Sequence, residues 1–318
     1  MKTPEVPVAK SKRQLEIEKE ILFRKSGPFV HIHTPSLTND IIFRNKEERY
    51  AAMAYIPMAA KEANVEIMAY ALMSNHFHFI VRGDWPQGFF DAFLRRFSQY
   101  MSRHGRPRLL KGFTADYTEI TSLKQFRDEI AYVIRNPFVV REDIHLFAYP
   151  WTSGFLYFNP FIHVLPAIPI DGMSIQQKRE ITKSRDVSLP AGLSMMGPFV
   201  NPASFVNYKL VEDLFLSARQ FMNWTLKNVE AQVETAARLG ESLNLADEEL
   251  LPILLTLCRD NYGHSAVSKL EEGQKQHLAK QLKYDYHSSN GQIARLLNIP
   301  SAKIDTLFPL SASTKPPL

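Results

Sequence analysis

The sequence predicts an α+β fold, in which an antiparallel sheet with helices on one face is followed by an all-α C-terminal domain. In the first half of the chain, short runs typical of strands separate segments whose apolar residues have helical spacing. From residue 208 onward the pattern is helical. A chain of 318 residues, of which 45% are hydrophobic and 22% charged, is long enough for two domains that each bury a core.

Four segments are expected along the chain. Residues 1–25 form a charged N-terminal arm, and residues 26–160 form the α+β domain. The span 161–206 is rich in Pro, Ser and Gly, which predicts a linker. Residues 207–318 form the α-helical domain, with a helix-turn-helix near 289–308. Short helix pairs also occur in all-α domains that do not bind DNA, so both interpretations of this pair stay open.

The α+β domain begins with FVHIHTP, a run typical of a strand. Its His31 and His33 show how readily a His-x-His pair arises in a sequence, and a structural role is favoured for both. Asn45 is a suitable N-cap for a helix over 46–63, where an apolar stripe includes one Pro.

A hairpin is predicted at 65–82, VEIMAYALMSNHFHFIVR, because two apolar runs are joined there by a turn-like Ser-Asn pair. Side chains two apart on a strand point to the same face, so His76 and His78 would lie together while Phe77 and Phe79 enter the core. Two imidazoles so placed can bind one divalent cation. Two surface histidines would give the same pattern, and the short motif does not separate the two interpretations.

The next helix, FFDAFLRRFSQYMSRHGR, places its aromatic side chains on one face, where core packing is favoured. Basic side chains on the other side and just beyond can form a solvated face or contact DNA phosphates. The candidates for DNA binding are Arg95, Arg96, Arg103, Arg106, Arg108 and Lys111, together with Ser301 and Lys303 from the second helix of the helix-turn-helix.

The last elements of the domain are a strand and a helix. FTADYTEI at 113–120 alternates as a strand does. SLKQFRDEIAYVIRNP predicts a helix that Ser122 caps and that ends at or before Asn136, ahead of Pro137. Tyr132 and Asn136 are four residues apart and share one face of this helix. Taken alone, a Tyr at this position is structurally ordinary.

Composition excludes several classes of protein. The single Cys258 excludes an internal disulfide framework and a Cys-based zinc site, and it is expected in a core. The apolar runs are too short to span a bilayer and the N-terminus lacks a signal-peptide pattern, so a cytoplasmic location and no membrane partner are expected. The net charge is +5, and residues 1–189 hold 26 Lys and Arg against 20 Asp and Glu. This excess permits a nucleic-acid partner without requiring one.

Three blocks in order, AYALMSNHFHFIV, AYVIRNP and YPWTS, carry a resemblance to a known family. The sequence resembles the single-tyrosine HUH transposases of the insertion-sequence-200 type, and more closely their REP-associated tyrosine transposase branch. The resemblance covers residues 28–158 and implies a sheet of the HUH endonuclease, ferredoxin-like type. It departs from the family at Ser74, where a Pro is common, and at LLKGFTADY, where the family has a Gly-x-Trp-Gln-type segment.

The resemblance implies an enzyme of DNA transposition and recombination, in which Tyr132 is the nucleophile and Asn136 a ligand on the metal side, beside His76 and His78. Imidazole and amide ligands with bound water suit Mg²⁺ or Mn²⁺. The implied reaction is metal-dependent nicking and strand transfer of single-stranded DNA through a 5′-phosphotyrosine intermediate, at a hairpin or palindromic repeat. The protein would act as a monomer or homodimer, and its C-terminal helices would contact double-stranded DNA. Because the imidazoles must be neutral, activity is expected to fall below about pH 6.

Two further hypotheses remain at this point. A domesticated, non-catalytic DNA-binding or regulatory protein derived from such a transposase is consistent with the departure at LLKGFTADY. An unrelated His-x-His metallohydrolase would need more carboxylate and imidazole ligands than the sequence places near the motif. The formation of a covalent protein–DNA adduct separates the first of these from an active transposase.

Overall fold

The computed structural model describes residues 10–34, 41–107, 109–136, 147, 149–227, 235, 247–286, 288 and 290–309. The chain divides into two compact units, Met1–Thr235 and Ala236–Leu318. Each unit combines elements that pack on one another. Within the described ranges, no helix is both long enough and apolar enough to cross a membrane.

The first unit begins with alternating helices and strands, which confirms the predicted α+β class. They are, in order, α1 (Lys12–Ser26), β1 (Phe29–His33), α2 (Lys46–Ala63), β2 (Glu66–Leu72), β3 (Phe77–Arg82), α3 (Pro86–Arg103), β4 (Asp116–Ile120) and α4 (Leu123–Arg135). The four strands form one sheet in the order β2-β3-β1-β4, and every neighbouring pair in it is antiparallel. The predicted hairpin is therefore β2-β3.

Helices cover both faces of this sheet, and the expectation of helices on one face was wrong. On one face, Phe77 and Phe79 of β3 contact Phe93 of α3, with ring centroids 5.4 and 5.2 Å apart. On the other face, Phe29 of β1 contacts Phe126 of α4 at 4.8 Å. Alternating side chains of the strands are apolar on both sides, so each face needs its own cover.

Local signals set the ends of α2 and α4 where the sequence predicts them. The Asn45 side chain accepts a hydrogen bond from the Glu48 N–H, and Asn64 ends α2 in the left-handed conformation with φ 52°. The Ser122 side chain accepts a hydrogen bond from the Gln125 N–H and begins α4. The four-residue spacing that joins Tyr132 to Asn136 is therefore helical up to the end of α4.

Residues 161–206, predicted to be a linker, pack instead as part of the first unit. They contain β5 (Ile168–Pro169), α5 (Ile175–Thr182), β6 (Ser194–Met196) and β7 (Phe199–Val200), with the three strands in one small antiparallel sheet. Ile170, Leu193 and Val200 form a buried cluster with Ala54 of α2. The Pro and Gly residues therefore serve turns between short strands, and the apolar residues between them anchor the segment.

Two more helices belong to the first unit, α6 (Tyr208–Asp213) and α7 (Ala218–Lys227). Buried polar side chains of α4 form hydrogen bonds with this part of the chain. Arg127 Nε donates to the Leu214 carbonyl at 2.9 Å, and Trp224 Nε1 donates to Asp128 at 2.8 Å. The division between the units after Thr235 thus differs from the predicted boundary at 206, because these hydrogen bonds satisfy groups that α4 buries.

Replacing Ile170 with Ala tests whether 161–206 is a structural part of the first unit. Ile170 is 1% exposed, so the truncation should lower the free energy of unfolding by about 2 to 5 kcal/mol through the cavity that it leaves. Trp85, Trp151 and Trp224 all lie in the first unit, and their fluorescence in a urea titration reports its unfolding.

The matched control for this experiment is Ile168→Ala, two residues away and 60% exposed. It should change the free energy of unfolding by less than about 0.5 kcal/mol. Equal effects of the two substitutions would show that the segment behaves as a linker.

The second unit has helices as its regular elements in the part of the chain that the structure describes. They are α8 (Asp247–Tyr262), α9 (Glu272–Tyr284), α10 (Asn290–Leu297) and α11 (Ser301–Leu307). Its buried side chains include Leu250, Leu254, Cys258, Leu278, Leu282, Ile293, Leu297, Ile304 and Phe308. Asn298, with φ 49°, turns the chain between α10 and α11, inside the span 289–308 where a helix-turn-helix is predicted. At the end of α11, Leu307 is half-buried and Phe308 beside it is buried.

Candidate functional site

The candidate site lies on the face of the sheet that α4 covers. Tyr132 and Asn136 come from α4 and its C-cap; His76 immediately precedes β3, and His78 is the second residue of β3. The ring centroids of His76 and His78 are 4.9 Å apart, and that of Tyr132 is 5.7 Å from His78. All four side chains are buried, and Tyr132 is only 1% exposed. The structure thus brings together the four residues that the sequence singled out as nucleophile and metal ligands.

The Asn136 amide lies between the two imidazoles. Its Oδ1 is 3.2 Å from Nε2 of His76, and its Nδ2 is 3.0 Å from Nε2 of His78. Residues four apart on a helix share a face, which is why Asn136 reaches the same histidines that Tyr132 contacts. The amide therefore joins the end of α4 to the beginning of β3.

The structure adds His31 and His33 of β1, for which a structural role was favoured. Because β1 and β3 are antiparallel with His33 opposite His78, these imidazoles point to the same face as the β3 pair. His31 Nε2 is 3.2 Å from His78 Nδ1, and His31 Nδ1 is 2.7 Å from a carboxylate oxygen of Glu129 on α4. The repeated His-x-His spacing was the available signal for these two residues. It indicates a place in the site only once the register of β1 against β3 is known.

Burial keeps the β3 imidazoles neutral. It lowers the pKa of His76 from its ordinary 6.5 to about 4, and it lowers the pKa of His78 well below its usual value, with the neighbouring histidines adding to the effect. Both side chains then hold nitrogen lone pairs well into the acidic range. The expected loss of function below about pH 6 therefore moves to more acidic pH.

The same shift predicts an acid-sensitive stability for the metal-free protein. The unfolded chain binds a proton at His76 near pH 6.5, whereas the folded chain does so only near pH 4. The corresponding stabilisation of about 3 kcal/mol is complete above pH 6.5 and is lost as the pH falls from 6.5 towards 4. Urea unfolding at a series of pH values in the presence of a chelator measures this slope.

His76→Gln removes one titrating group and should reduce the slope, with His78 contributing the remainder, whereas His163→Gln, at an exposed position, should leave the slope as in the wild type. If His76→Gln and the wild type lose stability equally between pH 6.5 and 4, the depressed pKa is not a property of the folded protein.

The donor atoms of His76 and Asn136 fit a divalent cation. His76 Nδ1 is 2.8 Å from the Asn75 side-chain oxygen, so the proton of the neutral imidazole lies on Nδ1 with the amide in this orientation. Nε2 then presents a lone pair to the Asn136 Oδ1, itself an acceptor. Two acceptors facing each other at 3.2 Å fit a cation better than a hydrogen bond. Among the described residues, no group of three or more His, Cys, Asp and Glu side chains is placed to hold a metal ion.

Several arginines proposed to contact DNA are engaged within the protein. Arg95 and Arg96 of α3 both pair with Glu62 at 2.7 Å, and Arg96 also lies 3.3 Å from Asp186. Arg106 donates to the Ile42 carbonyl at 2.7 Å and pairs with Glu48 at 3.0 Å. These contacts hold helices and loops together, because each guanidinium meets its partner across two elements.

Four other candidates for DNA binding, Arg103, Lys111, Ser301 and Lys303, are exposed. Arg103 is exposed and bonds to the Gln99 carbonyl of its own helix, and Lys111 is also exposed. Arg108 lies outside the described residues. In the second unit, Ser301 and Lys303 are exposed on α11, and Lys303 forms an ion pair with Glu272 of α9.

Comparisons with known proteins found little similarity. No family model matches the chain, and no curated protein matches it. One solved structure, that of a REP-associated tyrosine transposase bound to a REP hairpin, is similar at 15% sequence identity and a TM-score of 0.34. The similarity covers 41% of this chain and 79% of that chain. The resemblance is distant.

Proposed function

We propose that the first unit is a metal-dependent nickase and strand transferase for single-stranded DNA, of the single-tyrosine HUH type, acting at hairpin or repeat sequences. One observation carries the proposal: Tyr132 and Asn136 of one helix meet His76 and His78 of one strand in a single buried cluster. The sequence blocks that resemble the family contain the same four residues. The order β1-α2-β2-β3-α3-β4 is also compatible with the ferredoxin-like sheet of this proposal.

In the proposed reaction, the Tyr132 oxygen attacks the scissile phosphorus. An O–P bond to the tyrosine forms, the phenol proton leaves, and the bond from phosphorus to the 3′ oxygen breaks. The products are a 5′-phosphotyrosyl strand and a strand whose 3′ oxygen has taken up a proton. A phenol, with an ordinary pKa of about 10, is a better leaving group in the reverse reaction than a Ser or Thr hydroxyl, which suits a strand that must be rejoined.

His76, His78 and the Asn136 amide would hold the divalent cation, Mg²⁺ or Mn²⁺ in this proposal. When bound, such a cation polarises the scissile phosphate and offsets its developing charge. The protein's own contribution is positioning: α4 holds the phenol against the His78 ring, and β3 holds both imidazoles on one side of it. In the second unit, the exposed side chains of α11 would contact double-stranded DNA.

The burial of the site favours a second candidate function. Tyr132 is 1% exposed and Asn136 is 8% exposed, so a phosphate reaches the phenol only if the residues that cover it move. A non-catalytic DNA-binding or regulatory protein descended from a transposase needs no such movement. The two functions differ in whether the phenol ever becomes covalently bound to DNA.

A covalent-adduct assay tests the proposal. The full chain is incubated with Mg²⁺ or Mn²⁺ and a set of labelled single-stranded hairpins, and the products are separated under denaturing conditions. A labelled band at the mass of protein plus DNA, lost in the presence of a chelator, is the expected result. Hairpin binding without any such band would favour the non-catalytic function.

A further inference from the structure

We infer that Glu129 and His31 form a positioning pair that keeps the proton of His78 on Nδ1 and so turns its Nε2 lone pair towards Asn136. This inference rests on the proposed function, because it concerns the imidazole that would bind the cation. Their side chains form a continuous, buried hydrogen-bond chain that runs from α4, through β1 and β3, back to the C-cap of α4. None of these roles follows from the motif that contains His78 alone.

The hydrogen-bond chain contains three short contacts between polar atoms. A Glu129 carboxylate oxygen lies 2.7 Å from His31 Nδ1, and His31 Nε2 lies 3.2 Å from His78 Nδ1. His78 Nε2 lies 3.0 Å from the Asn136 Nδ2. Glu129, His31 and His78 are each 0% exposed, so bulk water does not compete for these atoms.

An ionised Glu129 carboxylate sets the direction of the hydrogen bonds, because in that form it can only accept a hydrogen bond. His31 Nδ1 therefore carries a proton, and with one proton on this imidazole its Nε2 is an acceptor. That acceptor requires a proton on Nδ1 of His78. The Nε2 of His78 is then unprotonated, and in the metal-free protein it accepts from the Asn136 Nδ2, a hydrogen bond that a cation at Nε2 would replace.

The direction matters for a ligand at His78. A neutral imidazole offers one lone pair, and the reverse direction would put a hydrogen on Nε2, where the proposed cation needs the lone pair. Without a group that only accepts, both directions satisfy a row of imidazoles equally well. Glu129 removes this ambiguity, as carboxylates behind metal-binding histidines do in general.

Helix geometry places the Glu129 carboxylate where it can accept a hydrogen bond from His31 and so orient His78. Glu129 lies three residues before Tyr132 and seven before Asn136, so all three lie on the face of α4 that meets the sheet. His31 bridges from this helix to β3 because β1 is the immediate neighbour of β3. One helix therefore supplies the nucleophile, the amide and the group that orients the histidine.

The first test reads the tautomer of His78 directly in the metal-free, ¹⁵N-labelled full chain. Nitrogen chemical shifts of the imidazoles distinguish a protonated from an unprotonated nitrogen, and His78→Gln assigns the signal. The expected result is a neutral His78 with its proton on Nδ1. A proton on Nε2 of His78, or a doubly protonated His31 that reverses the chain, would overturn the inference without any need for a variant at Glu129.

The second test uses Glu129→Gln, which keeps the shape of the side chain but adds an amide donor. The Nε2-protonated form of His78 should become populated, and Mn²⁺ binding measured by electron paramagnetic resonance should weaken by about 10- to 100-fold. Glu119→Gln makes the same chemical change at an exposed position on β4 and should leave both readings as in the wild type. Wild-type tautomer and Mn²⁺ affinity in Glu129→Gln would overturn the inference.

These readings separate the inference from the proposed function. The His78 tautomer is measured without metal or DNA. Its result therefore tests the positioning pair whether or not covalent adducts form. A chain that binds Mn²⁺ as expected and forms no adduct would reject the nickase while supporting the positioning pair. A wild-type chain that binds no Mn²⁺ would overturn the use of this tautomer in metal binding.

Discussion

Replacing Tyr132 with Phe is expected to abolish covalent adducts on a labelled single-stranded hairpin while leaving hairpin binding largely intact. The substitution removes the only atom that would join to phosphorus. It keeps the ring, whose centroid lies 5.7 Å from that of His78 and 6.4 Å from that of His31. The packing of α4 on the sheet should therefore survive, and denaturing gels beside a native binding assay separate the two effects.

Tyr70 provides the matched control. It is also fully buried, and its hydroxyl makes no hydrogen bond to any residue that the structure describes. Tyr70→Phe thus removes a phenol oxygen from the same domain without touching the candidate site, and adducts should form as in the wild type. If adducts persist in Tyr132→Phe, the nucleophile is a different residue. If both variants lose them, the loss reflects the fold and not the chemistry.

Replacing His76 with Ala should have the second large effect, a loss of Mn²⁺ affinity of more than about 100-fold, since it removes a first ligand where removal of an outer partner costs about 10- to 100-fold. His76 lies at the start of β3 and is 6% exposed, so its truncation disturbs the sheet less than a change at the fully buried His78. Electron paramagnetic resonance of free Mn²⁺ in a titration measures the affinity directly.

His163→Ala is the control, because that imidazole is exposed and is not part of the histidine cluster. Its Mn²⁺ affinity should equal that of the wild type. A second variant, His33→Ala, asks whether the β1 histidine whose ring is 6.4 Å from that of His78 also takes part in binding. Unchanged affinity in His76→Ala would reject the proposed ligand set, whatever the adduct assay shows.

Much of the fold was predictable because its signals are local. The helix expected at 46–63 is observed at Lys46–Ala63, since Asn45 caps a backbone N–H only three residues away. The hairpin and the start of α4 follow for the same reason. Such interactions join neighbours in sequence, so a pattern of residue types is enough to locate them.

The assignment of 161–206 failed because composition does not say what a segment packs against. Its Pro and Gly residues are typical of linkers, yet Ile170 and Val200 are buried with Ala54 of α2. The arginines of α3 present the same difficulty. In the sequence they form a basic stripe that could bind phosphates, but in the structure Glu62 and Asp186 form ion pairs with them.

The sequence by itself determined which residue types share a strand or a helix face: His76 with His78, and Tyr132 with Asn136. Their meeting, and the addition of His31 and Glu129, was decided by tertiary structure. His31 is 47 residues from His78 and 98 from Glu129 in the chain. Contacts at such separations depend on strand order and register, which arise from packing the whole domain and leave no periodic pattern in the sequence.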